Sequence, residues 1–107
     1  MQRVTLVRYA AKPERADENE ALSRAVFVEL RRTAPKGVAY AVLRHGDDFI
    51  HLFVNLLGES ADALTELPSF RAYSAAIAER CVTPPDVQRL GGDLLESYGL
   101  EEALAPV

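Results

Sequence analysis

His51 and Asn55 stand four residues apart in the run FIHLFVNL, so on a strand both side chains turn to the same face. An imidazole among apolar neighbours can act as a base or orient a substrate hydroxyl, and an amide beside it can hydrogen-bond a substrate carbonyl. These two are the candidate catalytic residues. Tyr9, Tyr40 and Tyr73 offer hydroxyls, Arg44 a charge and Phe53 an apolar wall, which makes these five the candidate substrate-binding residues. Each also has a commoner structural role. A strand histidine is often a core residue satisfied by a neighbour such as Tyr40, Asn55 or the backbone, a strand-end asparagine is often a turn residue, Arg44 equally suits a solvated rim, and tyrosines often line a core or interface. No metal site is expected, because His45 and His51 turn to opposite faces and no Asp or Cys stands at ligand spacing beside them. Cys81 reads as a buried, inert thiol, and Gly91-Gly92 lacks the surrounding pattern of a phosphate loop.

The stretch Val38 to Leu56 must position most of these groups. Two runs rich in Val, Ile, Phe and Tyr are separated by His45-Gly46-Asp47-Asp48, the signature of a hairpin with either a two-residue Gly46-Asp47 loop or a four-residue loop. Either loop pairs Arg44 with Phe49, Val42 with His51, Tyr40 with Phe53 and Val38 with Asn55 on one face. The other face carries Ala39, Ala41, Leu43, Ile50, Leu52, Val54 and Leu56. This purely aliphatic set is expected to meet the helices, with the His51 face opposite them; neither face suits water.

Around the hairpin, Val4 to Ala11 reads as a first strand ending before Lys12-Pro13. A helix is expected from Asp17, with Asp17 as cap and Glu20 reaching back to it, and with Leu22, Ala25, Val26 and Leu30 as its buried stripe. Arg31-Arg32 suit its C-terminal end, Pro35 and Gly37 stop it, and Phe27 and Val28 lie off the stripe toward a partner. Gly58 to Ala63 is a polar connection and Leu64 to Leu67 a helical turn. Pro68 then opens a second helix, Ser69 to Cys81, with Phe70, Tyr73, Ser74, Ile77, Ala78 and Cys81 on its inner stripe and Arg71, Ala75, Glu79 and Arg80 elsewhere. Val87 to Leu90, continued by Leu94 to Tyr98 across Gly91-Gly92, reads as a last strand, and 99–107 as an irregular tail.

The order strand, helix, strand, strand, helix, strand is the α+β, ferredoxin-like split βαβ arrangement: a four-stranded antiparallel sheet with two helices on one face. The 107 residues make one domain, 1–107. Net charge is -4, and the cations, all Arg except Lys12 and Lys36, are scattered among Asp and Glu. No basic stripe exists for a phosphate backbone, so nucleic acid is not an expected partner. One cysteine allows no internal disulfide, MQRVTLVRYA lacks the apolar core of a signal peptide, and no run is long enough to span a bilayer. A soluble cytoplasmic protein is expected, and no membrane partner. The apolar residues on the face opposite the helices, Val7, Tyr9, Tyr40, Val42, Phe49 and Phe53, predict a homodimer closed through that sheet face.

The opening VTLVRYAAKPE with an acidic helix start, the strand FIHLFVNLL, and ALTELPSFRAYSAAIAERCVTPP leading into the last strand together resemble the dimeric α/β-barrel superfamily, and within it the antibiotic biosynthesis monooxygenase type of domain. The resemblance covers almost the whole chain and lies in topology and pattern. It implies a symmetric homodimer with a cavity between the sheet and its helices or loops. Some members oxidise polycyclic aromatic substrates with O2 and no cofactor, others degrade haem, and many have no assigned activity. The haem-degrading branch relies on a first-strand Asn, a Trp and a haem-ligating His. This chain has no Trp, and its first strand offers Arg8 and Tyr9. The implied activity is cofactor-free monooxygenation of a small aromatic molecule; the alternative is a non-catalytic dimeric barrel that binds a small ligand. A pocket reached by His51 separates the two.

Overall fold

The computed structural model describes residues 3–55, 64–91, 95, 96 and 98. Strand β1 (Arg3–Ala10) leads through a 3-10 turn at Pro13–Arg15 into helix α1 (Ala16–Thr33); β2 (Val38–His45) and β3 (Asp48–Asn55) follow, then α2 (Pro68–Ala75), the short α3 (Ile77–Arg80) and β4 (Asp86–Gly91). The sheet is antiparallel throughout in the order β2-β3-β1-β4, the expected ferredoxin-like α+β arrangement. Among the described residues no helix is long and apolar enough to cross a membrane.

The hairpin has the tight form. His45 pairs with Asp48 across a two-residue loop in which Gly46 takes φ 63, a left-handed value that glycine adopts without Cβ strain. Arg44 pairs with Phe49, Val42 with His51, Tyr40 with Phe53 and Val38 with Asn55, as the symmetric turn requires.

The sidedness is the reverse of the expectation. Phe49 is buried in one cluster with Tyr9, Val26 of α1 and Tyr73 of α2, so the face of Phe49, His51 and Tyr40 lies beneath the helices. Ile50 and Leu52 point away from them, beside Leu43 and Leu6; Leu43 is 62% exposed and Leu52 41%. The physical reason lies on the helices. Their inward stripes carry Asn19, Ser23 and Arg80, all buried, and buried polar groups need hydrogen-bond partners. Asn19 finds its partner in Tyr9 on the buried strand face, while Ser23 and Arg80 are answered within the helical layer, by the Asn19 carbonyl, the Asn19 side chain and the Tyr73 carbonyl. Val7, Tyr9, Tyr40, Val42, Phe49 and Phe53 are therefore core or cavity residues and not the dimer seam.

Helix α1 starts one residue before Asp17 and has no side-chain cap; Asp17 and Glu20 instead accept from Arg44 Nη1 at 3.1 and 2.8 Å. It stops where Ala34 turns left-handed (φ 46) and donates its N–H to Leu30 O, just before Pro35. Its buried residues are Ala16, Asn19, Ser23 and Val26; Leu22 and Leu30 are half-buried and Ala25 is exposed. Phe27, expected to face a partner, stacks on Tyr40 at 5.0 Å with the rings nearly parallel, while Val28 is exposed. Glu29 ties α1 to α2, accepting from the Ser69 N–H (2.9 Å) and Oγ (2.6 Å) at the first turn of α2.

Pro68 opens α2 as expected, and the turn before it closes with Leu67 N–H on Leu64 O. The predicted single helix to Cys81 is broken: Ala76 (φ -130) interrupts it, and Cys81 is extended, bridging Ala11. Cys81 is nonetheless core, 3% exposed, and burial raises its thiol pKa. Ser74 and Ala78 face out. Strand β4 ends at Gly91; Leu95 and Glu96 are not in a strand, and Leu94 and Ser97 lie outside the described residues, as do Leu56, the connection 58–63 and the tail 99–107.

Candidate functional site

Between the sheet and the helices lies a cavity of about 610 Å³, within the usual range for small-molecule sites. Its floor comes from β1, β2 and β3 through Val7, Tyr40, His51, Phe53 and Asn55. Phe70, Tyr73 and Ile77 of the α2–α3 segment form one wall, and the exposed Val87, Arg89 and Leu90 of β4 stand at the rim. The lining is mostly apolar. Thr5, Asn55, Thr65 and Arg89 contribute polar groups, and one wall carries a cluster, where strand alternation places Tyr40 and His51 on adjacent strands and α2 lowers Tyr73 onto them.

His51 is 4% exposed and is held at both ring nitrogens. Nδ1 lies 2.6 Å from Tyr40 Oη; Nε2 lies 2.8 Å from Tyr9 Oη and 3.1 Å from Tyr73 Oη. Tyr9 and Tyr73 hydroxyls are themselves 2.6 Å apart. Behind them, Asn19 Nδ2 donates to Tyr9 Oη (2.8 Å), Arg80 Nε donates to Asn19 Oδ1 (3.0 Å), and Arg80 Nη2 donates to the Tyr73 carbonyl. The Arg80 guanidinium also lies over the Tyr73 ring at 5.4 Å. Arg80 is 1% exposed and, among the described residues, makes no ion pair with a carboxylate. A buried cation with neutral acceptors and an aromatic face favours negative charge nearby.

Desolvation sets the protonation of this wall. Burial lowers His51 to about 4, so it is neutral at physiological pH. Burial likewise raises Tyr9, Tyr40 and Tyr73 above the ordinary phenol value. The wall is thus a neutral set of donors and acceptors.

Of the residues singled out from sequence, His51, Asn55, Tyr40, Phe53 and Tyr73 line the cavity together. Tyr9 lies beneath the lining, bonded to two of them. Arg44 does not join the group: it pairs with Asp17 and Glu20, donates to Gly46 O and covers the Phe49 ring. Asn19 and Arg80 were missed. Both sit at stripe positions, Asn19 three before Leu22 and seven before Val26, Arg80 seven after Tyr73 and three after Ile77, and only their polarity argued for the outside. No group of three or more potential metal ligands occurs among the described residues.

No family model matches the chain, and no curated protein matches it. Solved structures do match. Rv0793 of Mycobacterium tuberculosis superposes with a TM-score of 0.75 at 19% identity, over 90% of this chain and 100% of its own. A structure named as an antibiotic biosynthesis monooxygenase gives 0.69 at 20% identity, over 88% and 100%. A Caulobacter crescentus protein provisionally given the same name gives 0.72 at 15% identity, over 87% and 91%. The chain therefore has the fold of these structures, two of which carry the name of antibiotic biosynthesis monooxygenase.

Proposed function

We propose that the cavity binds a small, largely apolar aromatic molecule bearing an oxygen substituent, and that the protein is a cofactor-independent monooxygenase of the antibiotic biosynthesis type. The observation that carries this reading is the mostly apolar 610 Å³ cavity onto which the hydrogen-bonded cluster of Tyr40, His51 and Tyr73 opens. Rings fill the apolar part, and the oxygen meets Tyr40, His51 and Tyr73, where neutral donors and the nearby Arg80 charge stabilise an oxyanion as it develops. Asn55, 2% exposed and part of the lining, fixes the ligand from the opposite end of β3. The names carried by structures of this fold support the reaction class.

A second reading, a non-catalytic binding protein, is favoured by one feature: His51, held neutral down to about 4 and bonded at both nitrogens, is a weak base. Titrating 1-naphthol and related phenols by thermal shift while following dissolved oxygen separates the two. Binding with oxygen uptake that His51→Gln abolishes supports the monooxygenase; binding without uptake leaves the binding protein; no binding of any phenol sinks both.

We also propose a homodimer, closed through the sheet face that the helices leave open. The supporting observation is the aliphatic set Leu6, Ala41, Leu43, Ile50 and Leu52 on that face, with Leu43 and Leu52 exposed in the protomer. A two-fold contact makes the patch its own complement. A cytoplasmic location belongs to the same proposal, supported by the free, buried Cys81.

A further inference from the structure

The hydrogen atoms of the polar wall can be counted. Arg80 only donates, so its bond to Asn19 fixes the amide with Oδ1 toward the guanidinium and Nδ2 toward Tyr9. Tyr9 oxygen is thereby an acceptor, and its own hydrogen must go to His51 or Tyr73. Within the set formed by neutral His51 and the three tyrosines there are one ring N–H and three O–H groups. They serve three short contacts, Tyr40 to Nδ1 (2.6 Å), Tyr9 to Nε2 (2.8 Å) and Tyr9 to Tyr73 (2.6 Å); the longer Tyr73 to Nε2 contact (3.1 Å) competes with Tyr9 for the single hydrogen or lone pair of that nitrogen, so one hydrogen is left over.

Its place depends on the tautomer. With the proton on Nδ1, the ring donates to Tyr40, Tyr9 donates to Nε2 and Tyr73 to Tyr9; the spare hydrogen is on Tyr40, and Tyr73 keeps a free lone pair. With the proton on Nε2, every bond reverses; the spare hydrogen is on Tyr73 and the lone pair on Tyr40. Tyr40 and Tyr73 both line the cavity, whereas Tyr9 does not.

We propose that Tyr40, His51, Tyr9 and Tyr73 form a proton relay that opens on the cavity at both ends, and that it serves the hydroxyl of a bound phenol or enol. Such a group accepts the spare hydrogen at one end and donates to the free lone pair at the other. In oxygenation, on which this part of the inference rests, the step is phenol plus O2 giving a hydroperoxy-dienone. A ring carbon–oxygen bond forms, the phenol O–H breaks and a hydroperoxide O–H forms. The phenol proton enters at Tyr73, each hydrogen moves one place through Tyr9 and His51, and Tyr40 delivers its proton to the peroxide oxygen. No residue gains or loses net charge, which suits a wall where burial penalises charge on histidine and phenols alike. Exchange with solvent after release resets the tautomer.

The test is long-range proton–nitrogen NMR of the His51 ring in two conservative variants. In Tyr40→Phe, Nδ1 loses its partner, and a buried unbonded N–H is avoided by moving the proton to Nε2. In Tyr73→Phe, the Nε2–H state strands the Tyr9 hydrogen, so the proton stays on Nδ1. The variants are expected to fix opposite tautomers; the same tautomer in both overturns the relay, whatever the protein does with oxygen. Where wild type consumes oxygen with 1-naphthol, each variant is expected to slow it at least about tenfold and the double variant no further, since one cut opens the relay. Additive losses overturn it. Should either variant fail to fold, wild type decides by affinity: 1-naphthol is expected to bind about tenfold more tightly than 1-methoxynaphthalene, which accepts but cannot donate, and equal affinities overturn the proposal. Failure of all oxygen uptake removes the monooxygenase reading while the tautomer test stands.

Discussion

The two faces of this sheet are made by the same strands, residue by residue in alternation, yet they have opposite fates. Phe49, His51 and Tyr9 are nearly inaccessible, while their immediate neighbours Ile50, Leu52 and Leu43 lie on the face the helices leave open. Within the hairpin the buried face carries Tyr40 and His51, and the open one only aliphatic side chains from Ala39 to Leu43 and from Ile50 to Val54. Polarity is thus a poor guide to sidedness when a sheet has two apolar faces; what decides is whether the covering helices bring polar groups that need answering. Asn19 donates to Tyr9 on the buried face and accepts from Arg80, which donates in turn to the Tyr73 carbonyl, so the helical layer is tied to that face through Tyr9.

The sharpest way to break this contrast is to truncate one aromatic or aliphatic residue on each face. Phe49, 1% exposed and stacked on Tyr9 at 5.5 Å, is expected to cost about 4 kcal/mol as Phe49→Ala. Leu43→Ala, a few residues away on the exposed face, is expected to change protomer stability by no more than about 0.5 kcal/mol. Urea denaturation of both variants, each in the Leu52→Asp background that keeps the protomer alone, reads the difference, and comparable losses would mean that the faces have been assigned wrongly.

The next effect is on acid stability. His51 has a folded pKa of about 4 against an ordinary 6.5, so the unfolded chain binds its proton first as pH falls. Where the unfolded state holds more protons, stability rises with pH; the His51 contribution is therefore complete above about 6.5 and is lost on the way down to about 4. A shift of this size corresponds to about 3 kcal/mol across that window. Denaturation midpoints measured from neutral to acid pH are expected to fall steeply in wild type and less in His51→Gln; parallel curves would show that the imidazole is not desolvated.

Much of this was legible in the sequence. The hairpin register followed from Gly46-Asp47 and strand alternation, the element order gave the fold, and five of the seven candidate site residues line one cavity. The failures share one cause. Arg80 was set on the outer face of its helix because it is charged, although its spacing from Tyr73 puts it on the inner stripe; Asn19 was passed over, although it falls in line with Val26. Periodicity was the better witness, and charge the worse, because a buried guanidinium can be answered by an amide, a carbonyl and a ring, a set that no local pattern announces. Arg44 erred the other way: two carboxylates on α1, remote in sequence, hold it away from the cavity.

The open face yields the prediction with the least effect on the protomer. Leu52 points away from the helices, between Leu6 on β1 and Ala41 on β2, near the middle of the aliphatic patch. If two copies close through it, Leu52→Asp places two carboxylates in the seam, one from each copy, among Leu6, Ala41 and Leu43, with Arg8, opposite Ile50, the one cation nearby on that face among the described residues. In a separated protomer the same carboxylate faces water, because this position is 41% exposed, and no buried hydrogen bond is disturbed. The variant is therefore expected to sediment as a folded monomer at concentrations where wild type is a dimer, with near-native circular dichroism and an intact phenol site. A wild-type protein that is itself monomeric at micromolar concentration would leave the aliphatic face without the partner proposed for it, and a variant that unfolds would show that the face is packed within the protomer.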